Sequence, residues 1–143
     1  MLLLSPVSWG EQKAVKEKVQ EATWGYELAP LRYMGYSQWT FILVGMATLL
    51  DEFKPDVIYV QEEPGSSLAS QAVTYANEHK VPIPLVLFTW ENLSPPNPIA
   101  QENLKRCALV ICGKQEAVPL LAPYAKKTFV QLQVGVDTVH FWQ

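Results

Sequence analysis

The sequence predicts a single α/β domain of the doubly wound, Rossmann-like kind: a mostly parallel sheet with helices on both faces. Three observations lead there. Apolar runs of strand length, about four to seven residues, alternate with stretches rich in helix formers. The runs are set off by turn residues such as Pro6, Pro64-Gly65 and Gly113. No internal repeat or low-complexity segment breaks the alternation across 143 residues, a length suited to one core. Such alternation implies right-handed crossovers between parallel strands.

The elements follow in order. "MLLLS" (Met1 to Ser5), stopped by Pro6, has the continuous apolar character of a buried strand. "GEQKAVKEKVQEA" predicts a solvated helix with a thin apolar stripe of Val15, Val19 and Ala22. "YELAPLR" predicts a short edge strand, because Pro30 removes a ladder donor. Ser37 then caps a stronger helix with Trp39, Ile42, Met46, Leu49 and Phe53 on one stripe, Trp39 being a core residue. Within it, "FILVGMATLL" (Phe41 to Leu50) reaches about half the length of a bilayer crossing and reads as a buried helix.

The second half is more sharply punctuated. A strand runs from Val57 to Val60 and ends at Glu62-Glu63-Pro64-Gly65. Ser66 or Ser67 caps a helix with apolar positions Leu68, Ala69, Ala72, Val73 and Ala76. Another strand runs from Pro84 to Phe88. After the loop "ENLSPPNP", Asn97 and Pro98 form an N-cap and first-turn pair for a helix reaching Arg106. "ALVICG" is a strand with a tight exit at Gly113. In "KQEAVPLLAPY" a helix starts or kinks at Pro119, and "KTFVQLQ" is the last strand.

Composition excludes several functions. A net charge of -3 without a Lys/Arg cluster argues against a nucleic-acid surface. Two cysteines suit a reducing compartment, and with no secretory signal at "MLLLSP" the expected location is cytoplasmic. Cys107 and Cys112 fall on opposite faces if the run between them is a strand, so they read as small buried residues rather than a metal pair. His79 sits at a helix end and His140 has no nearby ligand partner, so no metal is expected. No Gly-x-Gly-x-x-Gly, Walker lysine or Gly-x-Ser-x-Gly motif occurs, so no bound cofactor is expected. Peripheral membrane contact is not favoured, because the Lys and Glu charges of the first helix nearly balance.

Ligands of such folds bind beyond the carboxyl ends of the strands. That edge collects "SPVSWG", "QEEPGSS", "TWENLSPPN" and "CGKQE". Glu62 and Glu63 are adjacent, so only one turns easily to a ligand. Glu91 ends the next strand. Carboxylates from two strand ends can act as an acid/base pair or hold sugar hydroxyls, and otherwise they cap helices or meet solvent. Trp90 has the flat apolar ring that stacks on a sugar face.

"FKPDVIYVQEEPGSSLASQA", "PLVLFTWEN", "LVICGKQEAVPLL" and "VGVDTVHF" come in an order that resembles the N-terminal domain of the two-Rossmann-domain (GT-B) retaining glycosyltransferases of glycosyl transferase family 4. The resemblance covers most of the chain from Phe53 onward. It implies an acceptor-side half of an enzyme that moves a hexosyl group from a nucleotide-sugar to a glycan or lipid-linked acceptor. The partners are then the nucleotide-sugar, the acceptor and a second, nucleotide-binding domain after Gln143. Catalytic candidates are Glu91, Glu62 and Glu63, and substrate-binding candidates are Gly10, Trp90, Asn92 and Lys114. Gly135 and Asp137 match the crossover toward the second domain. The chain departs from the family where many members place a cleft-facing His, at Trp90-Glu91. It also has Gly10 alone where a Gly pair is frequent. Without the second domain the chain is expected to fold but not to turn over.

Two other readings use the same residues. One is a stand-alone α/β binding or interaction module. The other is a small α/β enzyme using Glu62, Glu63 and Glu91, one of them with a raised pKa in a closed pocket.

Overall fold

The structure is a computed structural model that describes residues 1–6, 8–9, 12–13, 27–35, 37, 39–90 and 94–131. In chain order it contains β1 (Leu2–Pro6), β2 (Ser8–Trp9), β3 (Gln12–Lys13), β4 (Glu27–Leu31), β5 (Tyr33–Met34), β6 (Ile42–Leu43) and α1 (Met46–Phe53). There follow β7 (Ile58–Gln61), α2 (Ser67–Glu78), β8 (Leu85–Thr89), α3 (Pro98–Arg106), β9 (Leu109–Cys112), α4 (Val118–Leu121) and β10 (Thr128–Val130).

The sheet has the expected character. β7, β8, β9 and β10 form a four-stranded parallel sheet in that spatial order, and β1 pairs with β4 in parallel. Helices flank the sheet, so the domain is Rossmann-like α/β. Two short antiparallel pairs, β2 with β3 and β5 with β6, accompany it.

The register explains the core. Val60, Leu87, Val110 and Thr128 lie side by side across the four strands, on one face of the sheet. There the first three, together with Ile58 and Leu85, join Ala69, Ala72, Val73 and Ala76 of α2 in the buried cluster. The small residues of α2 let the helix approach the sheet closely. Side chains alternate along a strand, so Tyr59 and Phe129 belong to the opposite face. They are 54% and 59% exposed.

Both predicted caps of the second half form. The Ser66 hydroxyl accepts from the Ala69 N–H at 3.1 Å, and the Asn97 side chain accepts from the Ala100 N–H at 2.8 Å. Pro98 occupies the first turn of α3, where a missing N–H costs nothing. Pro119 likewise sits at the start of α4, which follows a 3-10 turn at Gln115–Ala117.

The first half departs from expectation. The single helix expected from Ser37 to Phe53 is divided, and only Met46–Phe53 is helical. Gly45 has φ 84°, a left-handed conformation that stops a helix from running through it. Upstream, Ile42–Leu43 pairs with Tyr33–Met34. Ser37 closes a tight turn instead of capping a long helix: the Thr40 and Phe41 N–H groups both donate to its carbonyl at 3.1 Å. Trp39 is therefore not core but 47% exposed. Cys107 lies at the end of α3 rather than on the following strand, and both cysteines are buried. Gln12–Lys13, expected in the first helix, pairs as β3. The rest of that helix lies outside the described residues.

Candidate functional site

Three strand ends meet at the carboxyl edge of the four-stranded sheet. The Glu62 N–H donates to the Phe88 carbonyl at 3.1 Å, which carries the β7–β8 ladder one residue past the strand. Glu62 and Glu63 diverge there, as their adjacency requires. The Glu63 carboxylate accepts from the hydroxyl of Thr89, the buried last residue of β8. The Glu62 carboxylate accepts from the Glu63 N–H at 3.3 Å and faces a different space, a cavity between β1 and β7.

Burial pushes the Glu62 carboxyl above its ordinary value. Hydrogen bonds from the Glu63 N–H and the Ser66 hydroxyl oppose that shift, and the neighbouring Glu63 charge adds to it. A carboxyl raised in this way is a better proton donor or neutral hydrogen-bond partner near neutral pH than an ordinary surface glutamate.

The loop carrying these carboxylates is pinned from below. Asn103 of α3 is 5% exposed, and its amide donates to the Pro64 carbonyl and to the Ser70 hydroxyl, both at 2.8 Å. The Ser66 N–H donates to the Glu63 carbonyl at 3.0 Å. The turn is thereby tied to both α2 and α3.

Trp90 follows β8 and stands opposite Gly113 when the β8–β9 register is carried one step past Thr89 and Cys112. Its indole covers the Gly113 α-carbon so closely that a Cβ there would overlap the six-membered ring. The ring also meets Phe88 edge-on, with centroids 5.1 Å apart and planes at 83°. It is 42% exposed, so one region of an anchored aromatic surface faces solvent. By strand alternation Trp90 shares a sheet face with Phe88, whereas Thr89 and its partner Glu63 belong to the helix-covered side.

Lys114 follows Gly113, exposed, at the head of the 3-10 turn, with no side-chain capping bond. Among the described residues of the loops after β7, β8 and β9 it is the one cation. Glu91, Asn92, Gly10, Gly135 and Asp137 lie outside the described residues. Glu62, Glu63, Trp90 and Lys114 are thus the predicted candidates that the structure describes, and all four are at the carboxyl edge.

Sequence reasoning missed Thr89, Ser66 as a hydroxyl beside Glu62, and Asn103. The available signal for Asn103 was a polar residue on the stripe of α3 that carries Ala100 and Leu104. The two thiols are not part of the site. Burial raises both, Cys107 to about 11, so neither forms the reactive thiolate readily. Among the described residues no group of three His, Cys, Asp or Glu is placed to hold a metal, and no helix is long and apolar enough to cross a membrane.

Comparison of the chain with protein-family models, with curated proteins and with solved structures finds no match.

Proposed function

We propose that this chain is the acceptor-side half of a retaining, GT-B-type glycosyltransferase. The observation that carries the reading is the half-exposed Trp90 ring held on Gly113 at the same sheet edge as the raised Glu62 carboxyl. A flat aromatic surface and hydrogen-bonding carboxylates on neighbouring strand ends suit a sugar acceptor, the ring for apolar stacking and the carboxylates for hydroxyl recognition. Glu62 and Glu63 are the described candidates for holding or deprotonating the acceptor hydroxyl, and Glu91 the third by sequence. A departing nucleoside diphosphate requires focused positive charge. The strand-end loops of the four-stranded sheet offer only Lys114 among their described residues, so the donor would be held largely by a second domain.

Saturation-transfer NMR with a panel of mono- and disaccharides tests the reading. Sugar protons should receive saturation in the native protein and in Trp39→Ala, and lose it in Trp90→Ala. A panel with no binder sinks the proposal. Release of nucleoside diphosphate from a nucleotide-sugar by these 143 residues alone would refute the two-domain division of labour.

A further inference from the structure

One cavity among the described residues does not lie over the sheet edge but beside it. It measures about 640 Å³ and separates β1 from β7. Leu2 and Leu4 form one wall, and Leu43, Met46, Leu50 and Leu68 form much of the rest. This volume falls within the range of about 300–1,000 Å³ typical of small-molecule sites.

The polar residues of the lining follow β7: Asp56 before it, Tyr59 and Gln61 in it, and Glu62 at its end. Glu62 stands at the carboxyl end of β7 and lines the cavity. Ile58 and Glu62 donate their N–H groups to β8. In a parallel strand the alternate residues turn their backbone groups to the other edge, so the N–H and C=O of Tyr59 and Gln61 face the cavity. An occupant therefore has an apolar body and one end able both to donate to a carboxylate and to accept from an amide. A hydroxyl does both.

We propose that the cleft between β1 and β7 binds an amphiphilic alcohol, with its hydrocarbon body among the leucines and its hydroxyl between the Glu62 carboxyl and the Gln61 N–H. The ligand is a single molecule taken up from solution. The site needs no sugar transfer; it shares Glu62 with the proposed acceptor edge but does not include Trp90.

Methyl NMR with monomeric n-decanol reads the site directly. Resonances of Met46, Leu43 and Leu4 should shift saturably. Decanoate, whose carboxylate meets Glu62, should bind at least about tenfold more weakly, and Glu62→Gln should close that difference. Leu4→Trp fills the cavity from β1 and should weaken decanol binding about tenfold or more. Leu68→Phe, which fills it from α2, gives the same readout if the first variant does not fold. The proposal is overturned if no methyl responds to decanol, or if decanol and decanoate bind alike. It is also overturned if the Tyr59 and Gln61 amides resist hydrogen exchange in ligand-free protein, because β1 would then have zipped onto β7 and filled the space. None of these readouts involves sugar, so this inference and the glycosyltransferase reading fail separately.

Discussion

The indole of Trp90 rests on the backbone of Gly113, one strand away, in a space that exists only because residue 113 has no Cβ. The Gly113 N–H also donates to the Thr89 carbonyl at 2.9 Å, so the two strand ends are fixed relative to each other before the ring is placed. An aromatic ring covering a cross-strand glycine shields a backbone that would otherwise be bare.

Gly113→Ala should therefore move Trp90 more than it unfolds the domain. Overpacking in a closed core costs about 1–3 kcal/mol. This ring has a solvent side to swing toward, so the loss should fall near the low end. The expected outcome is a small drop in Tm with a clear red shift in Trp90 emission, read in a background where the other tryptophans are replaced by Phe. An unchanged emission maximum would mean that the contact does not hold the ring.

The edge of this site was legible because it is punctuated by residues with one physical meaning each. Ser66, Asn97 and Pro98 can begin helices but not continue strands comfortably, and Pro64-Gly65 can only turn. The first half offered a misleading periodicity instead. Trp39, Ile42, Met46 and Leu49 keep helical spacing, yet Gly45 adopts a left-handed conformation and Gln71 supplies a partner from a distant helix. The Gln71 carboxamide donates to the Leu43 carbonyl at 2.8 Å and accepts from the Leu43 N–H at 2.9 Å, as a neighbouring strand would. No local pattern announces a contact 28 residues away. The same holds for Thr89 and Asn103, whose roles depend on which loops the topology brings together.

Glu62→Gln should stabilise the protein at neutral pH. The native carboxyl titrates above its unfolded value, so the folded state holds the proton more tightly. Stability from this group is then fullest below the unfolded pKa of 4.5 and is lost as pH rises through the folded value. Glutamine keeps a carbonyl to accept from the Glu63 N–H and carries no charge toward Glu63. Urea titrations across acid to neutral pH should show the variant's advantage growing with pH and vanishing in acid. An advantage independent of pH would show that ionisation of Glu62 is not its source.

Asn103→Ala should loosen the carboxylate loop. The substitution leaves the Pro64 carbonyl and the Ser70 hydroxyl without the buried amide between them. The Ser70 hydroxyl keeps its bond to the Ser66 carbonyl, so one buried group is stranded at about 1–3 kcal/mol, and a loss of about 2 kcal/mol in urea denaturation is expected. Faster hydrogen exchange at the Ser66 amide, which bonds to the Glu63 carbonyl, would locate the loosening. A stability loss with unchanged exchange there would separate Asn103 from the loop.

The other end of the sheet gives a test with an optical signal. The Tyr75 hydroxyl of α2 donates to the Asp51 carboxylate of α1 at 2.8 Å. Burial, with Asp51's hydrogen bond and charge, pushes the phenol from 10.0 to about 12. The neutral phenol is thus the form the fold favours. Its contribution is fully present below pH 10 and is lost as pH rises toward 12. Ultraviolet difference titration should show one tyrosine ionising late, and Asp51→Asn should bring that step back toward the ordinary range while the α1–α2 packing survives. Tyr75→Phe should remove the late step and cost about 1 kcal/mol or less, because the pair is open to solvent. If the late step persists in Asp51→Asn, the Asp51 charge is not what delays ionisation, and burial of the phenol is sufficient to do so.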